Sequence, residues 1–219
     1  IPDLVTAGSP FVAIRVPKHP LTQQLLQSID FPLAAPSANP FGYISPTRPQ
    51  HVFQQLGDKI SYILNGGACT IGLESTIVAF PDDQPTILRK GGITIEAIEA
   101  VIGQVSINAH STSNPSAPGM LKSHYAPRKP LIVGNIETLM AQYPNHRLGV
   151  LSFTQSYTNP SVVKNIVLSS TGLLSEAAHH FFDALRQLDA LDLDYILADW
   201  FPNEGLGRAL NDKLKRASV

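Results

Sequence analysis

The stretch Pro36-Ser37-Ala38-Asn39-Pro40-Phe41-Gly42-Tyr43 stands directly behind the apolar run Phe31–Ala35 and just ahead of Ser45-Pro46-Thr47. Its prolines fix φ and remove backbone donors, so neither helix nor sheet continues through it. A rigid turn of small hydroxyl and amide side chains at the end of a buried strand is where α/β proteins place binding chemistry. This segment therefore calls for a sheet behind it and points to a ligand in front of it.

The rest of the composition is permissive. With 219 residues, 43% of them hydrophobic and 15% charged, the chain can bury a core and does not read as globally disordered. A formal net charge of −1 argues against nucleic-acid binding by bulk attraction, leaving a local patch possible. Cys69 is the single cysteine, which excludes an internal disulfide framework and points to a reducing, cytoplasmic compartment. In its apolar neighbourhood it reads as a small core residue. No apolar run is long enough to span a membrane, and the start at Ile1-Pro2-Asp3 lacks the basic opening of a signal peptide.

Periodicity divides the chain. Phe11–Val16, Phe31–Ala35, Ile60–Leu64, Ser75–Phe80 and Thr86–Leu88 read as strands. Pro20–Ser28, Arg48–Leu56 and Thr94–Ile102 read as helices, the last capped by Thr94 with Ile95, Ile98 and Ile102 inward. Asn65-Gly66-Gly67 is a turn. Residues 104–130 are rich in Ser, Asn, Pro and Gly and read as a linker. Beyond it, Leu131–Val133, Leu148–Phe153, Ile166–Leu168 and Tyr195–Ala198 read as strands. Leu173–Leu191 and Gly205–Arg216 read as helices, which implies a small parallel α/β layer. The division is 1–103, 104–130 and 131–219.

Several clusters could carry chemistry. Arg15 closes a strand and could hold a carboxylate or phosphate, although a solvated turn explains it as well. Ser37, Asn39 and Ser45 suit phosphate or ribose oxygens, or ordinary turn chemistry. Ser75 and Thr76 follow Gly72-Leu73-Glu74 at a strand start. Arg89 and Lys90 precede Gly91-Gly92, phosphate-like in character but without Walker or dinucleotide spacing. Lys122, His124 and Tyr125 lie in the linker, where a tyrosine between basic residues can close over a ligand. His179 and His180 read as boundary residues. There is no metal-ligand spacing, nucleophile elbow or defensible triad.

Collinear with one another, these pieces resemble the long form of the threonylcarbamoyl-AMP synthase family. They are Val5-Thr6-Ala7-Gly8, Val12–Pro17 with His19-Pro20, Ala34–Asn39 with Ser45-Pro46-Thr47, Gly72–Val78 and Ile87–Thr94. Pro118-Gly119-Met120, His124-Tyr125-Ala126-Pro127 and Gly205-Leu206-Gly207 complete the set. The resemblance implies a YrdC-like twisted mixed sheet with helices, then a linker, then a small Rossmann-like parallel α/β domain. It implies that L-threonine, bicarbonate and ATP, with Mg²⁺, give threonylcarbamoyl-AMP and pyrophosphate. Other proteins then transfer the threonylcarbamoyl group to a tRNA adenosine beside the anticodon. By the same resemblance, Arg15, Ala35 and Ser75 would bind threonine. Phe11, Ser37, Ser45 and Arg89 would bind ATP, with His124 and Tyr125 covering the nucleotide. Ser37 and Asn39 belong to the catalytic Ser-x-Asn signature.

The sequence departs from the family pattern at Leu121-Lys122-Ser123, where a basic residue usually follows the Met directly. The family's catalytic domain also has an earlier part, carrying a Lys-x-Arg pair that faces the Ser-x-Asn signature. On that pattern the catalytic domain here is N-terminally truncated, and these 219 residues alone are expected to be inactive or impaired. Two other readings compete: an RNA-binding YrdC-like module, and a carbamoyltransfer domain of the hydrogenase-maturation type. Near-neutral charge opposes the first; the linker and C-terminal extension oppose the second.

Overall fold

The computed structural model describes residues 1–6, 8–108 and 124–218, and its strands fall into two separate sheets. Ala7, Pro118-Gly119-Met120, Leu121-Lys122-Ser123 and most of the expected linker lie outside the described residues. In the first half the helices are α1 (Asp3–Thr6), α2 (Pro20–Gln27) and α3 (Pro49–Leu56). A proline stands in the first turn of both α2 and α3, where its missing N–H would have no helical acceptor anyway. Then come β1 (Ile77–Ala79), β2 (Thr86–Arg89), α4 (Ile95–Ile102) and β3 (Ser106–Ile107). β1 is antiparallel and β3 parallel to β2, giving a small mixed sheet in the order β1-β2-β3. Thr94 caps α4 as expected, its hydroxyl accepting from Ala97 N at 3.2 Å.

The second half contains β4 (Leu131–Val133), α5 (Ile136–Gln142), β5 (Leu148–Ser152), β6 (Val162–Val167), α6 (Leu174–Asp189), β7 (Tyr195–Ala198) and α7 (Gly207–Ala217). Its sheet is parallel throughout, in the order β4-β7-β5-β6, as the alternation of strands and helices requires. Central β5 is buried along its whole length. Leu148 and Val150 pack with Ile136 and Met140 of α5, while Leu151 joins Phe181, Leu185 and Leu188 of α6 in the other layer. Each such side chain contributes about 1.5–3 kcal/mol on burial, which makes this layer the cohesive part of the molecule.

The first half is looser. Expected strands at 11–16, 31–35 and 60–64 form no ladder among the described residues. Ile14 is 84% exposed and Phe31 58%, so apolar composition there is not matched by a partner. A strand is stabilised by its neighbour, and composition alone does not supply one. Ile102, expected inward, is 41% exposed at the last residue of α4. Within the segment read as linker, Ser106 and Ile107 pair with Thr86 and Ile87.

The halves meet at Gly72. Its φ is +80°, and a Cβ there would stand 2.2 Å from Ala178 O and 2.5 Å from His179 O on α6. Gly67 has the same φ of +80° but open space around it. Gly67→Ala should cost about 1 kcal/mol of backbone strain, whereas Gly72→Ala should cost clearly more because it also pushes the chain off α6. Urea unfolding midpoints measure the difference; equal losses would refute the close approach.

Candidate functional site

Two strand ends of the first half are stitched together at the predicted site. Arg89, last in β2, donates from Nε to Ser75 O at 3.0 Å and from Nη2 to Ser75 Oγ at 3.2 Å. Thr76 Oγ1 donates to Ile93 O at 2.5 Å and accepts from Ile93 N at 3.1 Å, so the turn after β2 is pinned to the approach to β1. Glu74 lies at the centre. Its Oε1 accepts from Ser45 Oγ at 2.7 Å, and its backbone carbonyl from Gly92 N at 2.8 Å.

The C-terminal layer reaches into this group through α7. Lys213 is fully buried, donates from Nζ to Lys90 O at 2.7 Å, and lies 3.9 Å from Glu74 and 3.8 Å from Asp212. Burial draws its pKa down, opposed by the charges of Glu74 and Asp212. The same nitrogen stands 5.3 Å over the ring of Tyr125. Tyr125 is 1% exposed, holds a φ of +66°, and its hydroxyl has no hydrogen-bond partner among the described residues. Burial pushes its phenol well up, and burial pulls the neighbouring His124 imidazole down. The two rings meet edge to face at 4.2 Å. Arg89 and Glu74 act electrostatically on both, so Ser45, Ser75, Arg89, His124 and Tyr125 share one neighbourhood.

The loop that carries Asn39 reaches this group through Phe41, whose ring meets His124 edge to face at 6.1 Å, and Gly42, whose carbonyl accepts from Ala126 N at 2.8 Å, whereas Phe11, Arg15, Ala35 and Ser37 lie on exposed surface. Arg15 donates from Nη2 to Ala35 O at 3.4 Å, which brings those two together on an exposed surface. Phe11 is 63% exposed with its N–H on Ser9 Oγ, and Ser37 is exposed. Asn39 donates from Nδ2 to Pro40 O at 2.8 Å and Tyr43 O at 3.1 Å, holding the proline loop closed; its Oδ1 is buried without a partner among the described residues. One cleft of about 590 Å³ lies between α3 and α6, and another of about 230 Å³ lies beside His19 and Cys69. Neither is lined by a predicted site residue.

Sequence reasoning passed over the polar stripe on α6. Asp183 accepts both Nε and Nη2 of Arg48, at 2.9 and 3.2 Å. Arg186 donates to Ile44 O, to Ser45 O at 3.2 Å and to Gln55 Oε1 at 3.0 Å. Asp189 accepts Tyr43 OH at 2.5 Å, Arg128 Nε at 2.9 Å, and the backbone N–H groups of Arg128 and Lys129 at 2.7 and 3.0 Å. Burial and the hydrogen bond to Asp189 raise the Tyr43 phenol to about 12. Charged side chains spaced by three on a helix carried the signal, since they must lie on one face.

A small mixed sheet whose strand ends gather hydroxyls and an arginine, braced by a parallel α/β layer, defines a two-layer α/β protein with a polar cluster at strand ends. Residues 93–219 match the family model described as threonylcarbamoyl-AMP synthase, C-terminal domain, and residues 1–91 match the model described as telomere recombination. The chain belongs to the threonylcarbamoyl-AMP synthase family. It is 39% identical over 227 residues to the threonylcarbamoyl-AMP synthase of Bacillus subtilis, covering 98% of this chain and 65% of that one. It is 36% identical over 233 residues to that of Pyrococcus abyssi, covering 100% and 67%. The crystal structure of P. abyssi Sua5 complexed with L-threonine superposes with a TM-score of 0.90 at 36% identity, covering 100% of this chain and 67% of that one. A P. abyssi Sua5 variant with adjacent His and Tyr both changed to Ala superposes equally, at 0.90 and 34% identity, with coverage of 100% and 66%. The chain thus spans about two thirds of the length of these relatives.

The Asp189 knot has a pH signature. Burial opposes its ionisation, yet the Tyr43 hydroxyl, the Arg128 guanidinium and the Lys129 N–H together hold its pKa below the ordinary value. That stabilisation is present above the unfolded pKa of about 3.9 and is lost as pH falls through the lower folded value. Asp189→Asn should cost about 2 kcal/mol at neutral pH, kept modest because Arg128 is largely solvent-exposed, and the gap should close in acid. Urea unfolding of both proteins at pH 7 and in acid measures this. A gap unchanged with pH would show that ionisation is irrelevant to the knot.

Proposed function

We propose that this chain supplies the threonine- and nucleotide-facing part of an L-threonylcarbamoyladenylate synthase, divided as catalytic 1–103, lid-bearing 104–130 and bracing 131–219. The observation that carries the reading is the convergence of Ser45, Ser75, Arg89 and Tyr125 around Glu74. Family membership and the likeness to a structure holding L-threonine support it.

The threonine amine would take up the carbon of bicarbonate with loss of water, giving a carbamate. A carbamate oxygen then forms a bond to the α-phosphorus of ATP as the bond to the β-phosphate oxygen breaks, releasing pyrophosphate. No protein nucleophile is needed; positioning and cationic charge are. Arg15 offers a guanidinium fork to the threonine carboxylate beside the Ala35 carbonyl, and Ser75 Oγ, oriented by Arg89, contacts the same substrate. Arg89, Ser37, Ser45 and the main chain at Phe11 hold ATP. Ser37 and Asn39 form the signature at the reacting centre. His124 and Tyr125 close over the nucleotide and exclude water that would hydrolyse the adenylate; the His-Tyr pair altered in the P. abyssi variant is of the same type. Among the described residues no group of His, Cys, Asp or Glu is arranged to hold a metal, so Mg²⁺ would arrive on the triphosphate oxygens. The product would pass to a transferase acting on tRNA, in the cytoplasm, where the thiol of Cys69, which is exposed and not the core residue its apolar neighbourhood suggests, persists.

In the natural-length protein, ATP–pyrophosphate exchange should require both L-threonine and bicarbonate. Arg89→Ala should slow it about 100-fold, the scale for losing one cationic or oxyanion contact in the transition state. Exchange that proceeds at full rate without threonine would overturn the reading. Separately, L-threonine at 100 times its Kd should stabilise the fold by about 2.7 kcal/mol, and Arg15→Ala should abolish the accompanying rise in Tm.

A further inference from the structure

The 590 Å³ cleft between α3 and the end of α6 plays no part in the proposed synthesis. Its volume falls within the range of about 300–1,000 Å³ typical of small-molecule sites. Arg128, Arg186 and the amides of Gln50, Gln54, Gln55 and Gln187 line it, and among the described residues no carboxylate does. Arg186 is the unusual member. It is 8% exposed, and its hydrogen bonds go to two backbone carbonyls and the Gln55 amide, all neutral. Nη1 has no partner among those bonds. A buried guanidinium without a bonded carboxylate carries a desolvation cost that an anion would relieve. The nearby carboxylates are committed elsewhere: Asp183 to Arg48, and Asp189 to Tyr43 and Arg128. Counting Arg48, Arg128 and Arg186 against Asp183 and Asp189 leaves one positive charge at the cleft.

We propose that this cleft is a second ligand site, taking a small phosphorylated and hydroxyl-bearing molecule of the sugar-phosphate class. The two guanidinium groups approach from different elements and offer more donors than one carboxylate can accept, which favours the phosphate oxygens. The Tyr43 ring backs Arg186 with its CZ 5.0 Å from the centroid, keeping the fork in place. The glutamine amides both donate and accept, matching sugar hydroxyls.

The test is a titration of the isotope-labelled, natural-length protein with ribose 5-phosphate, followed by nuclear magnetic resonance at the glutamine side-chain amides. Saturable shifts at Gln50, Gln54, Gln55 and Gln187 are expected. Gln54→Glu, an exposed change on α3 that leaves the fold intact, should weaken Kd about tenfold by setting a negative charge against the phosphate. Arg89→Ala, which strips the proposed ATP site, should leave this Kd unchanged. Absence of saturable shifts, a Kd indifferent to Gln54→Glu, or a Kd moved by Arg89→Ala would each overturn the proposal.

Discussion

One face of α6 holds the molecule together. His179, Phe182, Asp183, Arg186 and Asp189 recur at spacings of three and four, so they form a single stripe along the helix. That stripe meets the first half of the chain from end to end. His179 Nδ1 lies 2.9 Å from Thr70 O, Phe182 stacks on Tyr125 at 5.4 Å, and Asp183, Arg186 and Asp189 bind Arg48, the 44–45 carbonyls and Tyr43. The neighbouring stripe of Ala177, Phe181, Ala184, Leu185 and Leu188 is buried in the layer of the parallel sheet. A helix buried on one side by apolar packing can present a fixed row of charges on the other, because its backbone position is already determined by the core.

This arrangement explains how a loosely built first half acquires a rigid proline loop. Among the described residues, 43–48 form no ladder beyond an isolated bridge between Tyr43 and Ala126. Their buried carbonyls at Ile44 and Ser45 are instead satisfied by Arg186, which turns a loop with unmet acceptors into a fixed surface. Asn39 completes the enclosure from within by bridging to Tyr43 O. The prolines limit the unfolded alternatives, and α6 selects one of the folded ones.

The parallel layer was legible in the sequence because its strands are short apolar runs separated by helices, and each run finds its neighbour through the crossover rule. β4 and β7 have the bounds their apolar runs suggest. α5 escaped notice although Asn135 caps it and Ile136 and Met140 are spaced by four; it is one turn shorter than the periodic window needed to see it. β3 was illegible for a different reason. Ser106 and Ile107 are a polar–apolar pair inside a polar stretch, and their strand character comes from β2 beside them. The converse holds at 11–16 and 31–35, where strand-like composition meets no partner among the described residues. Motif reading named Ser45, Ser75, Arg89 and Tyr125, which lie in one neighbourhood, but not Lys213, which joins them from 88 positions beyond Tyr125. Nothing local marks a lysine that will be buried.

Lys213 also bears on why Tyr125 keeps an uncommon backbone. A left-handed φ of +66° in a bulky residue costs about 1–2 kcal/mol. Such strain persists only where surroundings over-determine it. Here Phe182 covers one side of the ring, Lys213 stands over it, and the backbone on either side is fixed by His124 N donating to Arg216 O at 3.1 Å and Ala126 N donating to Gly42 O at 2.8 Å. The C-terminal helices therefore do more than add bulk: α6 and α7 hold Tyr125 in one conformation against the strand ends. An aromatic ring fixed in this way is already ordered, so any contact it makes at the strand ends carries no further entropic cost of positioning.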